Sequence, residues 1–200
     1  MRRLVLATRN PGKVRELAAM LADLDVEVVS VAAFPAVGDV VEDGLTFAAN
    51  ALKKAREVAA ATGWPALADD SGLEVDALDG EPGVYSARYG GPGLDDAGRC
   101  AHLLAALTAR GSERSAARFR SAVALVAGDE EHLCEGAWPG EVAGPPTGTN
   151  GFGYDPIFWL PGRGLTAAQL DAAEKNRLSH RGQALAAMLR LLHERPALLG

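Results

Sequence analysis

Two short stretches of this chain collect the residue types that handle phosphate and divalent metal: Thr8-Arg-Asn-Pro-Gly-Lys13 and Asp69-Asp70-Ser71. The first follows the apolar run Leu4-Val-Leu-Ala7 and leads into Val14-Arg-Glu-Leu-Ala-Ala-Met-Leu21, which has helical spacing. A strand–loop–helix order sets backbone N–H groups and the positive end of a helix beside the Lys13 ammonium, and that combination attracts phosphate. Thr8, Asn10 and Lys13 add a hydroxyl, an amide and an ammonium, all able to donate toward one anion. Arg9, Pro11 and Gly12 complete the turn. The loop is not GxxxxGK[ST], because Val14 follows Lys13 and the glycine spacing differs, so a P-loop nucleoside-triphosphatase is disfavoured. A polar turn ahead of a helix is also an ordinary connection, and the loop gains meaning from what accompanies it.

Asp69-Asp70-Ser71-Gly72 follows a short apolar strand, Pro65–Ala68, so both carboxylates are expected at a strand end. Adjacent side chains on extended backbone point to opposite sides, which predicts different roles for the two. The plain alternative is a turn in which Asp and Ser satisfy backbone groups. Beside a phosphate loop, a carboxylate is what a hydrated divalent ion needs to bridge to phosphate oxygens. Glu42, near the end of the loop Phe34–Gly44, is the candidate second oxygen ligand; its plain alternative is a solvated loop residue.

Two further groups stand out. Gly151-Phe-Gly-Tyr-Asp-Pro156 sets Phe152 between glycines, which clears space for a flat ligand on its ring. A tight turn that packs Phe152 and Tyr154 into the core is the competing reading, and Asp155 either meets a base edge or caps the turn. Lys175 and Ser179-His-Arg-Gly182 form the last group. With Ser179 as helix cap, His180 and Arg181 fall in the first turn, where cations oppose the helix dipole by ~0.3–1 kcal/mol. An anionic or electron-rich ligand would remove that conflict.

The elements that must carry these groups follow from periodicity. Arg3–Ala7 reads as a buried strand, Gly12 to about Asp23 as a helix, and Val26–Val31 as a second strand. Thr46 caps a helix whose Phe47, Ala51, Leu52, Ala55, Val58 and Ala59 form a core stripe, with Gly63 as its stop. Leu73–Leu78 continues extended, Gly80–Gly93 is a loop, and Asp95 caps a helix to about Ala109. Ala117–Ala127 and His132–Trp138 read as an antiparallel pair through Gly128-Asp129, followed by a loop, Pro139–Pro156, and a strand, Ile157–Leu160. Thr166 and Gln169 make a capping box, and a last helix runs from Ser179 to Arg195. Strands and helices interleave around a central hairpin, so the expectation is an α/β fold with a mixed sheet.

The totals agree with that picture. Two hundred residues at 48% hydrophobic content suit one domain with a substantial core. Lys+Arg 20 against Asp+Glu 26, a net charge of -6, is the wrong balance for holding nucleic acid. Cys100 and Cys134 have no metal-ligand spacing and read as core thiols of a reducing compartment. No apolar run approaches the ~18 residues of a membrane span, and no signal peptide is evident, so no membrane partner and a cytoplasmic setting are expected.

ATRNPGK at Ala7–Lys13, ADDSG at Ala68–Gly72, GVYSARYGG at Gly83–Gly91, NGFGYDPIF at Asn150–Phe158 and KNRLSHRG at Lys175–Gly182 occur in this order. Together they resemble the inosine/xanthosine triphosphate pyrophosphatase family, whose members clear noncanonical purine nucleotides. The resemblance spans essentially the whole chain. It implies an elongated single domain over residues 1–200, with a mixed central sheet, flanking helices and a central nucleotide cleft, and usually a homodimer. It implies Mg2+-dependent hydrolysis of dITP, ITP or XTP to the monophosphate and pyrophosphate. Carried over residue by residue, Thr8, Asn10 and Lys13 meet the phosphates, Glu42 and Asp70 the metal, and Asp70 also the proton acceptor. Ser71 contacts substrate, Phe152 stacks the base, and Gly153, Tyr154, Asp155, Lys175, His180 and Arg181 surround base and phosphates. Asp69 is a supporting carboxylate. Arg9 stands where many relatives carry a smaller residue, and its role is open. Two rival readings are a pyrophosphatase for modified pyrimidine or methylated nucleotides and a nucleotide-binding module without turnover.

Overall fold

The structure, a computed structural model, describes residues 2–199. Its strands are β1 (Arg3–Leu6), β2 (Glu27–Ser30), β3 (Ala66–Val75), β4 (Arg114–Ala127), β5 (Glu130–Ala143), β6 (Phe158–Leu160) and β7 (Leu165–Thr166). The helices are α1 (Pro11–Met20), α2 (Phe47–Thr62), α3 (Asp96–Ala109), α4 (Ala172–Leu178) and α5 (His180–Glu194). One seven-stranded sheet has the order β2-β1-β3-β4-β5-β6-β7. β1 is parallel to both β2 and β3, whereas β6 is antiparallel to β5 and β7, so the sheet is mixed, as the interleaved pattern predicts.

Contacts divide the fold into two compact units. The first comprises the chain up to Asp70, Ser121–Gly136 and the chain from Arg181; the second comprises Ser71–Arg120 and Ala137–His180. The first unit closes on Leu4, Leu6, Leu17, Leu67, Val123, Leu125, Leu185 and Met188. These come from the inward faces of β1, α1, β3, β4 and α5, and such faces supply the bulk of folding free energy at ~25 cal/mol per Å² of apolar surface removed from water. The second unit closes on Leu73, Leu103, Leu107, Phe119, Trp138, Ile157 and Phe158, with Phe119 and Phe158 ring centroids 4.4 Å apart.

Caps legible in the sequence are made as expected. Thr46 accepts from the Ala49 N–H and Gly63 closes α2 at φ +71°, a left-handed conformation that glycine adopts without Cβ strain. Asp95 accepts from Gly98 at the start of α3, and Thr166 and Gln169 form their reciprocal capping box.

Three boundaries differ from the periodicity reading. β3 runs unbroken from Ala66 to Val75, so Asp69 and Asp70 lie in mid-strand, not at a strand end or in a turn. Pairing and burial hold the pair extended despite the turn-forming Asp-Asp-Ser-Gly composition. β4 and β5 each span 14 residues and extend the expected hairpin at both ends. The extra helix α4 is capped by Asp171, whose side chain accepts from the Glu174 N–H. Among the described residues, no helix is long and apolar enough to cross a membrane.

Candidate active site

Within the first unit, β3 presents its two adjacent carboxylates to different partners. Asp69 Oδ2 receives Lys13 Nζ at 2.9 Å and Arg181 Nε and Nη2 at 3.2 Å, while its Oδ1 accepts from Ser121 Oγ at 2.6 Å. The Asp69 side chain is 0% exposed. Burial alone would raise its pKa, but Arg181 and Lys13 outweigh it and hold the carboxyl well below the usual carboxylate range. Asp69 is therefore a fixed anion.

Asp70 sits otherwise. Its Oδ1 lies 3.1 Å from Lys54 Nζ and its Oδ2 accepts from Asn50 Nδ2 at 3.2 Å. Burial pushes its pKa up; Lys54 and Lys13 oppose the rise and Glu42 adds to it. The net direction is upward, so Asp70 is the more basic carboxylate of the pair. The different roles expected from strand alternation correspond to opposite protonation tendencies.

The Thr8–Lys13 loop is built differently from the simplest reading of its donors. Asn10 does not offer its side-chain oxygen to solvent; Oδ1 accepts from the Gly12 and Lys13 N–H groups and caps α1. Two N–H groups expected to be open are thus capped, because an Asn at N-cap satisfies the first orphan donors of a helix. Thr8 Oγ1 accepts from the Asn10 N–H, which fixes the turn. Arg9 acquires a role: Nη1 meets Asp39 at 2.8 Å and Nη2 donates to the Val37 carbonyl, so it tethers the loop that carries Glu42. Pro11 opens α1 at its first position, and Gly12 is buried beneath it.

Arg181 resolves the dipole conflict at the start of α5 from within the protein. Its side chain is 3% exposed, and besides Asp69 it donates from Nη1 to Glu16 Oε2 at 2.5 Å. The anion expected at that helix start is supplied by these two carboxylates. Sequence reading missed Asn50, Lys54, Glu16 and Ser121. A signal for the first two existed: Asn50 and Lys54 fall on the same helical stripe as Phe47, Ala51, Ala55 and Val58, and a lysine on a core stripe requires a partner. That partner is a pair, since Lys54 Nζ lies 3.0 Å from Glu42 Oε1 as well as 3.1 Å from Asp70.

Within the second unit, Lys175 and Asp155 form a buried ion pair at 2.6 Å. Lys175 Nζ stands 4.8 Å from the centre of the Phe152 ring, and Asp155 Oδ2 also accepts from the Phe152 N–H at 2.9 Å. The half-buried Phe152 therefore has its ring beside an ammonium and its backbone locked by a carboxylate. The Gly153 N–H donates to Asp96. Tyr154 follows the core reading of this segment: it is buried, and its hydroxyl donates to the Ser86 carbonyl at 2.8 Å. Burial drives its phenol pKa further up, so it remains a neutral donor. His180 is buried and stacked on Phe119 at 4.8 Å with planes 12° apart. Ser71 is half-buried on β3.

Glu42 and Asp70 fit a magnesium ion by donor chemistry. Two carboxylate oxygens already converge on one cationic head, and Mg2+ takes one or two carboxylates, keeping its other positions for water and substrate phosphates. Among the described residues there is no group of three or more His, Cys, Asp and Glu side chains placed to hold a metal ion.

A mixed α/β sheet that buries two adjacent carboxylates among Lys13, Lys54 and Arg181, with their protonation pushed in opposite directions, marks a candidate active site of the kind enzymes carry. Residues 4–191 match the Ham1 family, and the chain belongs to it. It is 53% identical over 195 residues to a dITP/XTP pyrophosphatase of Nitratidesulfovibrio vulgaris, covering 94% of each chain. It is 51% identical over 196 residues to a dITP/XTP pyrophosphatase of Xanthomonas campestris pv. campestris, covering 96% of this chain and 98% of that one. The solved structure of a HAM1 protein from Coxiella burnetii superposes with a TM-score of 0.89 at 45% identity, covering 97% of this chain and 100% of that chain.

Proposed function

We propose that this chain hydrolyses noncanonical purine nucleoside triphosphates, dITP, ITP and XTP, to the nucleoside monophosphate and pyrophosphate with Mg2+. The observation that carries the reading is the geometry of the Asp69-Asp70 pair, the first carboxylate held by Lys13 at 2.9 Å and Arg181 at 3.2 Å, the second sharing the Lys54 ammonium with Glu42. The dITP/XTP pyrophosphatases to which the chain is about half identical along nearly its whole length support the same activity. Glu42 and Asp70 would hold the ion, which supplies neutralisation of the triphosphate charge and polarisation of a phosphoryl oxygen.

Asp70 accepts the proton of the attacking water as the water oxygen bonds to the α-phosphorus. The bond from that phosphorus to the α–β bridging oxygen breaks, and pyrophosphate leaves with the electron pair. Lys13 stabilises the negative charge on the departing group, and Asp69 fixes the Lys13 ammonium for that task. Thr8 and Asn10 position the loop by their backbone bonds. Phe152 stacks the purine, with Lys175 and Asp155 beside it. The resemblance adds Ser71, Gly153, Tyr154, His180 and Arg181 to the substrate's surroundings, and a homodimer and a cytoplasmic setting to the protein.

The test is Mg2+-dependent pyrophosphate release from ITP, XTP, dITP, GTP and ATP, measured for the unaltered chain and for Asp70→Asn. ITP, XTP and dITP should be turned over in preference to ATP, because a site that hydrogen-bonds a 6-oxo purine leaves groups unpaired against a 6-amino one. Asp70→Asn should lose ~10²–10⁴-fold in kcat, the usual share of a general base. Comparable kcat/KM for ATP and ITP would defeat the selectivity, and near-normal turnover by Asp70→Asn would remove Asp70 from the mechanism. Turnover confined to modified pyrimidine nucleotides, or binding without release, would replace the reading altogether.

A further inference from the structure

We propose that Lys54 is a resident counter-cation which a divalent ion must displace from Glu42 and Asp70, so that this one side chain sets the metal affinity of the site. The proposal rests on the reading that these two carboxylates hold the metal. Lys54 Nζ spends its donors on Glu42 Oε1 at 3.0 Å, Asp70 Oδ1 at 3.1 Å and the Asp69 carbonyl at 2.9 Å. Three oxygens match the three N–H donors of an ammonium, so the head is fully occupied where it stands. Its side chain is 9% exposed, on the core-facing stripe of α2.

Magnesium binds oxygen at ~2.0–2.1 Å, well inside the ~3 Å of an ammonium hydrogen bond. The carboxylate oxygens that now face the ammonium are those an ion would use, and two cations at contact in a weakly screened site repel strongly. The neighbouring cations Lys13 and Arg181 do not compete for this place: both are engaged by the Asp69 carboxylate. Lys53, the preceding residue, reaches Asp43 on the exposed surface. A four-carbon stem lets the Lys54 head leave its two carboxylates while α2 stays in place. Substrate-free protein therefore keeps the ligand pair partly neutralised by its own ammonium, and metal entry is an exchange of one cation for another.

The experiment titrates substrate-free, full-length protein with Mn2+, counting free ion by electron paramagnetic resonance, and follows the melting temperature with Mg2+. Variants are Lys54→Met, of similar length without charge, and Lys54→Arg, which keeps the charge. The expected result is an Mn2+ affinity at least ~10-fold tighter for Lys54→Met than for the unaltered chain, with a larger Mg2+-dependent gain in melting temperature. Lys54→Arg should bind no more tightly than the unaltered chain. Equal or weaker binding by Lys54→Met overturns the proposal, because the ammonium would then be assisting the ligands. If Lys54→Met does not fold, nitrogen-detected NMR of the lysine ammonium groups in the unaltered chain decides: a Lys54 signal unmoved at metal saturation overturns the proposal, and a displaced one supports it. Pyrophosphate release from ITP by the unaltered chain is measured in parallel. Its absence sinks the hydrolytic reading, whereas release together with unaltered metal affinity in Lys54→Met sinks only this one.

Discussion

Replacing Asp69 by Asn isolates the fixed anion of the pair. The amide keeps the shape of the carboxylate and can still accept a hydrogen bond, but it cannot answer the charges of Lys13 and Arg181, which it meets at 2.9 and 3.2 Å. Breaking a buried ion pair by removing one partner costs ~3–5 kcal/mol, since the surviving charge stays desolvated. Arg181 retains Glu16, so the lower end applies, about 3 kcal/mol. For a chain of this size ~1 kcal/mol shifts Tm by ~2–4 °C, which gives a fall of about 6–12 °C for Asp69→Asn at neutral pH. The folded-state pKa of Asp69 is depressed, so its contribution is present above the unfolded value of ~3.9 and is lost as pH falls below that toward the folded value. The gap in Tm between the unaltered chain and Asp69→Asn should accordingly be constant near neutrality and narrow below about pH 4. Asp70→Asn, at a carboxyl whose ionised form burial disfavours, should melt closer to the unaltered chain. Differential scanning fluorimetry across a pH series reads all three. An Asp69→Asn protein melting within about 2 °C of the original, or Asp70→Asn melting below it, would refute the assignment of the fixed anion.

Two further substitutions probe the second unit. Phe152→Ala should lower kcat/KM for ITP by about 5–150-fold, chiefly through KM, because base–aromatic stacking contributes ~1–3 kcal/mol; steady-state kinetics in which Phe152→Trp restores most of the loss would confirm that a flat ring is what matters. Gly151→Ala should depress both Tm and activity: its Cβ would collide with Asp155 Oδ2 and come within 3.1 Å of Lys175 Nζ, at a φ of +74° that alanine adopts only with strain. A Gly151→Ala protein with unchanged melting and unchanged KM would mean that the Asp155–Lys175 pair tolerates displacement.

What the sequence could reveal followed from the range of the physics involved. The caps of α2, Thr46 and Gly63, are local hydrogen-bond and φ choices, and both were readable. The Asp69–Asp70 pair stands out by composition, but it lies in mid-strand and not at a strand end. Its composition favours a turn, whereas its extended state comes from sheet pairing and burial that no local window contains. Phe152 was legible from its flanking glycines, but the ammonium over its ring arrives from α4, 23 positions away in sequence. Lys54 lies on the apolar stripe of α2, but its partners Glu42 and Asp70 come from a loop and a strand 12 and 16 positions away, beyond any helical period. Tyr154, two positions from Phe152, is buried with its hydroxyl on the Ser86 carbonyl, a long-range partner that no local window contains.

The spacing of the two aspartates is itself an argument for their division of labour. Two carboxylates at i and i+2 of a strand would share a face and the same neighbouring cations. At i and i+1 they face apart, so Arg181 and Lys13 can hold the first while Glu42, Lys54 and Asn50 surround the second. Lys54 ties the two environments together, taking the backbone carbonyl of Asp69 and the side chain of Asp70 at once. That arrangement depends on register. β1 fixes it by pairing Val5 with Ala66 and Leu6 with Leu67, and by the Ala7 N–H donating to the Leu67 carbonyl. A slip of one residue along β3 would exchange the faces of Asp69 and Asp70, turning the fixed anion toward Lys54 and the basic carboxylate toward Arg181. Leu67 and Leu73, both fully buried on either side of the pair, would be carried to the opposite face by the same slip, so the packing of these leucines helps to fix which way each carboxylate points.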